Sequence, residues 1–203
     1  MIPILIADDQ DLVRGALAAL LNTERDIEVV AECGRGDEVV DAVRAADPRP
    51  RVALIDIEMP GGGGIAAAAA LHEADLGCRS LIVTTFGRPG YLRQALAAGV
   101  SGFLVKDTPP EQLAEAVRRV DSGLRVVDHT LAEESLFTPE CPLTPRELEI
   151  VRAARDGASV REIAARVHLS PGTVRNHLSA VIGKTGTANR HAAVRHAEEA
   201  GWL

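Results

Sequence analysis

Apolar positions in the first 122 residues alternate between two textures. Short runs at 2–7, 28–33, 52–55, 81–84 and 103–105 have the length and β-branched content of buried strands. Between them, helical spacing extends over 12–21, 37–46, 65–75, 91–98 and 111–122. Five strands, each followed by a helix, predict an α/β unit with a doubly wound five-stranded parallel sheet covered on both faces. The pattern fades over 123–142, which reads as a linker with at most a helical turn from Thr130 to Leu136. Beyond it the chain is helical only. Thr144-Pro145-Arg146-Glu147 and Ser159-Val160-Arg161-Glu162 are capping boxes, in which hydroxyl and glutamate each satisfy an orphan backbone group. Ser170-Pro171 opens a third helix, predicted over 171–182, and a fourth is predicted over 189–200. Residues 143–203 therefore form a small all-α four-helix unit, with 162–167, a turn at 168–170 and 171–182 as a helix-turn-helix.

Composition narrows the class. The chain has 203 residues, 46% hydrophobic and 25% charged, and lacks the long apolar run of a membrane span. The start, MIPILIADD, has no basic segment ahead of its apolar run, so no secretory signal is expected. Cys33, Cys78 and Cys141 are odd in number and widely spaced, which fits a reducing cytoplasm and neither a disulfide frame nor a zinc site. Aromatic residues are 2% of the chain, too few for a base-stacking platform. Charge is uneven: residues 1–137 hold 13 basic and 22 acidic groups, whereas 138–203 hold 9 and 7. An acidic front and a mildly basic back point to two units with different partners.

In an open parallel sheet, ligands bind beyond the carboxyl ends of the strands. Asp8 and Asp9 follow the first strand, Asp56 the third and Lys106 the fifth, and Thr84 ends the fourth. Three crowded carboxylates do not all stay ionised without a cation, and an oxygen-only set suits Mg²⁺. A carboxylate in such a place can attack phosphorus and become an aspartyl phosphate, with metal and lysine neutralising the transferred group.

The motifs Ala7-Asp8-Asp9, Asp56-Ile57-Glu58-Met59-Pro60-Gly61, Thr84-Thr85 and Gly102-Phe103-Leu104-Val105-Lys106 resemble, in order and spacing, the receiver domain of two-component response regulators over 1–122. The resemblance implies a flavodoxin-like fold with Asp56 as phosphoacceptor. It implies Mg²⁺ held by Asp9, Asp56 and the Glu58 backbone carbonyl, with Asp8 assisting through water or outer contacts. Thr84 would hydrogen-bond the phosphoryl group, Lys106 would pair with it, and Phe103 would turn inward when Thr84 moves. Glu58 and Phe86 would flank the pocket. The chain departs from the family at Asp107, where many receivers carry proline, and at Gly61 to Gly64, four glycines that read as a looser connection.

On the third helix of the back unit, Val174, Leu178, Val181 and Ile182 form one inward face. Arg175, Asn176 and Ser179 then point outward, and arginine and asparagine can each pair with base edges in a major groove. Thr173, Lys184 and Arg190 are placed for phosphate contacts, while His177 borders the apolar face. Leu143 to Glu147, Glu162-Ile163-Ala164, Ser170 to Leu178 and Asn189-Arg190 resemble the LuxR/NarL-type helix-turn-helix domain. Thr185 replaces its usual leucine, and Gly183 weakens the helix end. A further resemblance, to regulators of fatty-acid desaturase genes, rests on Thr84-Thr85-Phe86, Arg88-Pro89-Gly90-Tyr91 and Thr173 to Asn176. Together these imply a cytoplasmic transcription factor phosphorylated by a sensor histidine kinase or a small phosphodonor. It would form a homodimer on phosphorylation and bind double-stranded promoter DNA, with no membrane partner and no enzymatic activity beyond slow self-dephosphorylation. Two rivals compete: a receiver-like domain that is a constitutive dimeriser or senses another ligand, which the intact acidic set disfavours, and an Mg²⁺-dependent phosphatase or phosphotransferase built on Asp56-x-Glu58, which would need a second acid and a cap.

Overall fold

The structure is a computed structural model that describes residues 1–85, 87, 89–128, 131–132 and 141–203, without the side chains of 89 and 199. The chain divides into two compact units, the first made of Met1–Gly87 and Leu92–Glu133 and the second of the remainder.

In the first unit, strands β1 (Ile2–Ala7), β2 (Ile27–Cys33), β3 (Val52–Ile55), β4 (Arg79–Thr84), β5 (Gly102–Val105) and β6 (Val126–Val127) form one sheet in the order β2-β1-β3-β4-β5-β6. Every pairing is parallel. The helices are α1 (Asp11–Leu21), α2 (Val39–Ala45), α3 (Gly64–Glu73), α4 (Pro89–Ala97), which belongs to this unit from Leu92 onward, and α5 (Pro110–Asp121). Ile4, Ile6, Val52, Leu54, Leu81, Val83 and Leu104 meet Ala18 and Leu21 of α1 and Leu113, Val117 and Val120 of α5 in one core. The alternate residues Leu5, Ala53, Ile55, Ile82 and Phe103 are buried as fully. Burial on both faces is why these strands are continuous apolar runs.

Two features depart from the sequence expectation. The sheet has six strands where five were expected, because Val126–Val127, inside the expected linker, pairs with Gly102 and Phe103. Two residues carry no readable periodicity. The edge of β5 recruits them, with Val126 N–H donating to Ser101 O and Asp128 N–H to Phe103 O. The helix expected over 37–46 is split into a 3₁₀ turn at Gly36–Glu38 and α2. Leu131 and Ala132, inside the helical turn expected over Thr130 to Leu136, are helical; the rest of that turn, with 129 and 137–140 of the linker, lies outside the described residues.

The second unit contains α6 (Pro145–Ala153), α7 (Val160–Arg166), α8 (Pro171–Thr185) and α9 (Arg190–Glu199). Both capping boxes form, and Ser170 and Asn189 cap α8 and α9. Ile150, Val151, Ile163, Val174, Leu178, Val181, Val194 and Trp202 are central to its core. Helix α8 continues three residues past Ile182. Gly183 does not end it, Thr185 Oγ1 donates back to Val181 O at 2.8 Å, and Gly186 closes it at φ 62°.

Candidate functional site

Strand register brings the acidic residues together. Ala7 pairs with Ile55 across β1 and β3, and Asp56 N–H donates to Ala7 O at 2.9 Å, so Asp8 and Asp56 leave adjacent strand ends side by side. Thr84 pairs with Val105, and Lys106 N–H donates to Thr84 O at 2.8 Å, which delivers Lys106 to the same edge. Asp8, Asp9 and Asp56 place one carboxylate oxygen each within 4.8 Å of one another. The Lys106 ammonium lies 2.7 Å from Asp8 Oδ2 and 3.4 Å from Asp56 Oδ2.

The electrostatics follow from burial. Asp8 and Asp56 are almost wholly covered, whereas Asp9 opens to solvent. Burial pushes the Asp56 carboxyl up to about 6; the Lys106 ammonium opposes the rise and the Asp8 carboxylate adds to it. Asp8 Oδ2 accepts no hydrogen bond among the described residues, despite the nearby ammonium. The Asp9 carboxylate and the Glu58 backbone carbonyl likewise accept none among them. Crowded oxygens with spare lone pairs, one of them facing water, fit a hard divalent cation. Thr84 is buried at the pocket's end of β4, and Phe103 is fully enclosed. Glu58 is exposed beside the pocket; Phe86 lies outside the described residues.

The glycine-rich connection is tight where a loose one was expected. Gly61, Gly62 and Gly63 all have positive φ. Gly64 N–H donates to Ile57 O at 2.9 Å, and a Cβ on Gly64 would overlap the Asp56 carbonyl. Gly36 N–H donates to Pro60 O, and a Cβ there would meet Gly63 O at 2.8 Å. Glycine at these places permits both the left-handed backbone and the close approach. Asp107 brings no unusual geometry: the one cis peptide among the described residues is Asp47–Pro48.

Sequence reasoning missed Arg14, which packs behind the pocket with Nη1 2.6 Å from Asp8 O. Its signal was the i, i+3 spacing to Asp11, indistinguishable in sequence from an ordinary surface pair.

On α8, Val174, Leu178 and Val181 face inward as expected, and Arg175, Asn176 and Ser179 are exposed. His177 is half-buried. Thr173 Oγ1 lies 2.8 Å from Ser170 Oγ at the cap. Lys184 Nζ is 2.7 Å from Glu147 Oε2, the same carboxylate that accepts from Thr144 N–H. Burial pushes the Glu147 carboxyl up, but Lys184 and the Thr144 donors outweigh it and hold the group below the usual glutamate range. Arg190 Nη1 donates to Ala158 O at 3.1 Å.

A six-stranded parallel sheet with this acidic edge, joined to a helix-turn-helix unit, defines the class. Residues 4–118 match the response regulator receiver domain, residues 141–197 match the bacterial regulatory proteins of the luxR family, and the chain belongs to the receiver-plus-LuxR-type response regulators. Within it, the chain is 44% identical over 203 residues to the transcriptional regulatory protein DesR of Bacillus subtilis, covering all of both chains. It is 38% identical to the response regulator RamR of Streptomyces coelicolor, covering all of this chain and 98% of that one. Among solved structures, ChrA, the response regulator of a heme-sensing two-component system, is 33% identical with TM-score 0.59, covering 100% of this chain and 98% of its own. DesR is named as a transcriptional regulatory protein, and RamR and ChrA as response regulators. No helix among the described residues is long and apolar enough to cross a membrane.

Proposed function

We propose that phosphorylation of Asp56 switches this chain between two states of DNA binding, acting from the cytoplasm. The observation that carries the reading is a buried Asp56 carboxylate flanked by Asp8 and Asp9 within 4.8 Å and by the Lys106 ammonium at 3.4 Å. An Asp56 carboxylate oxygen attacks the phosphorus of a phosphohistidine on a sensor kinase, or of a small phosphodonor. The donor's bond to phosphorus breaks, the leaving group keeps the electron pair, and Asp56 carries an acyl phosphate. Mg²⁺, when bound, neutralises phosphoryl charge. Asp9, Asp56 and the Glu58 carbonyl would hold it, with Asp8 as an outer partner.

Lys106 turns from Asp56 to a phosphoryl oxygen, and Thr84 donates its hydroxyl to another. Phe103 follows the space that Thr84 vacates, which alters the exposed surface of the receiver and drives homodimerisation. Only slow hydrolysis of the phosphoaspartate is expected of the chain as a catalyst. The working units are the receiver, extended past 122 by β6, and 143–203.

In the second unit, Arg175, Asn176 and Ser179 read base edges of double-stranded promoter DNA, and Thr173, Lys184 and Arg190 position it through phosphates. Lys184 keeps two further N–H donors for a phosphate while it holds Glu147. Pairing two such modest heads raises affinity through effective concentration.

The test is incubation with acetyl phosphate and Mg²⁺, followed by intact mass and solution size for the native chain and Asp56→Asn. One added phosphoryl group with a monomer-to-dimer shift, both absent in the variant, is expected. An unmodified native chain that is dimeric throughout would overturn the proposal.

A further inference from the structure

We infer that Arg14 is a positioning residue for the acidic pocket, holding the Asp8–Asp9 peptide so that the Asp9 carboxylate is aimed at the divalent cation. The inference rests on the cation-assisted reading above and assigns to it a residue outside the pocket.

Asp9 is the most exposed of the three carboxylates and has no hydrogen bond or ion pair of its own among the described residues. Its direction is therefore set by the backbone that leads into it. That backbone is pinned at three points. Asp8 N–H donates to Cys33 O at 3.1 Å, Gln10 N–H donates to Asp8 Oδ1 at 2.9 Å, and Arg14 Nη1 donates to Asp8 O at 2.6 Å. The last bond matters most for Asp9, because the Asp8 carbonyl belongs to the peptide unit that enters Asp9. Rotation of that planar unit would swing the Asp9 side chain away from Asp56.

The guanidinium is itself anchored. Arg14 Nη2 is 2.6 Å from Asp11 Oδ1 on the first turn of α1, and Nε faces Glu32 Oε2 on β2 at 3.4 Å. A planar fork can hold a carbonyl and two carboxylates at once, whereas an ammonium acts as a point charge. One clamp thus ties the end of β1, the start of α1 and β2 together. Its charge has the wrong sign to favour a cation nearby: electrostatics alone would make the pocket bind Mg²⁺ better without Arg14. Positioning and field effect therefore predict opposite outcomes.

The experiment is calorimetric titration of Mg²⁺ into the full chain at fixed ionic strength, for native protein, Arg14→Gln and Arg14→Lys, with melting curves for each. Arg14→Gln is expected to lose about tenfold in Mg²⁺ affinity, the lower end for disturbed outer partners of a metal site. Arg14→Lys, which keeps the charge, should lose several-fold, so the loss cannot be a field effect. Equal or tighter binding in Arg14→Gln overturns the inference while leaving the pocket reading intact. If that variant does not fold, Arg14→Lys decides alone, and native affinity in it overturns the inference. A native chain that binds no Mg²⁺ overturns the pocket reading and this inference with it.

Discussion

Asp56→Asn should stabilise the metal-free receiver at neutral pH. The substitution removes a charge from a side chain in a residue only 4% exposed, with almost no change of shape. The ionised form is disfavoured there, since the carboxyl sits at about 6 against an ordinary 3.8. At 1.36 kcal/mol per pH unit, ionisation costs the fold about 3 kcal/mol at pH 7, with the attraction to Lys106 already included. Because the folded value is raised, this contribution is fully present below the unfolded value near pH 4 and is lost as the pH rises through about 6. Native and variant should therefore be similar near pH 4 and diverge by up to about 3 kcal/mol at pH 7. Urea unfolding in chelator, read by thiol labelling of Cys33 and Cys78, follows the receiver alone, because both thiols are buried in it. Adding Mg²⁺ at about a hundred times its Kd should return about 2.7 kcal/mol to the native chain and nothing comparable to the variant. Equal stability at pH 7, or a difference that does not shrink toward pH 4, would refute the reasoning.

Gly64→Ala places a methyl group against the Asp56 carbonyl and should cost about 1–3 kcal/mol; the same thiol assay measures it, and an unchanged midpoint would show that the loop can yield. Lys184→Met leaves the Glu147 carboxylate buried with only the Thr144 donors. It should destabilise the second unit by about 1–3 kcal/mol, read from the fluorescence of the single tryptophan, Trp202. The same variant should flatten the salt dependence of DNA binding by about one ion if Lys184 also touches phosphate. Arg175→Ala should weaken binding to the preferred operator by about 1–3 kcal/mol, measured by competition against random DNA; an equal loss on both would make Arg175 a backbone contact.

Much of the receiver was legible because each acidic residue directly follows an apolar run. Asp8 after Ile2–Ala7 and Asp56 after Val52–Ile55 become strand-end residues once the runs become parallel strands. The capping boxes at Thr144 and Ser159 were equally legible, since they join residues three apart. What escaped was set by distant partners. Val126–Val127 becomes a strand only because β5 offers an open edge. The glycines at 61 to 64 read as slack, yet they are packed against Gly36 and the Asp56 backbone, segments that no local pattern links to them.

The sequence by itself determined the alternation of elements, the two-unit division by pattern and charge, and the kinds of side chain gathered at the sheet's edge. These depend on periods of two and 3.6 residues and on contacts within a turn. Only the tertiary structure decided that Lys184 meets Glu147 across 37 residues and that Arg14 spans three elements to grip the Asp8 carbonyl. Only the folded chain also buries Asp56 deeply enough to raise its carboxyl to about 6. Long side chains choose partners by proximity in space, and a carboxylate's acidity is set by the water it has lost, neither of which is written in neighbouring residues.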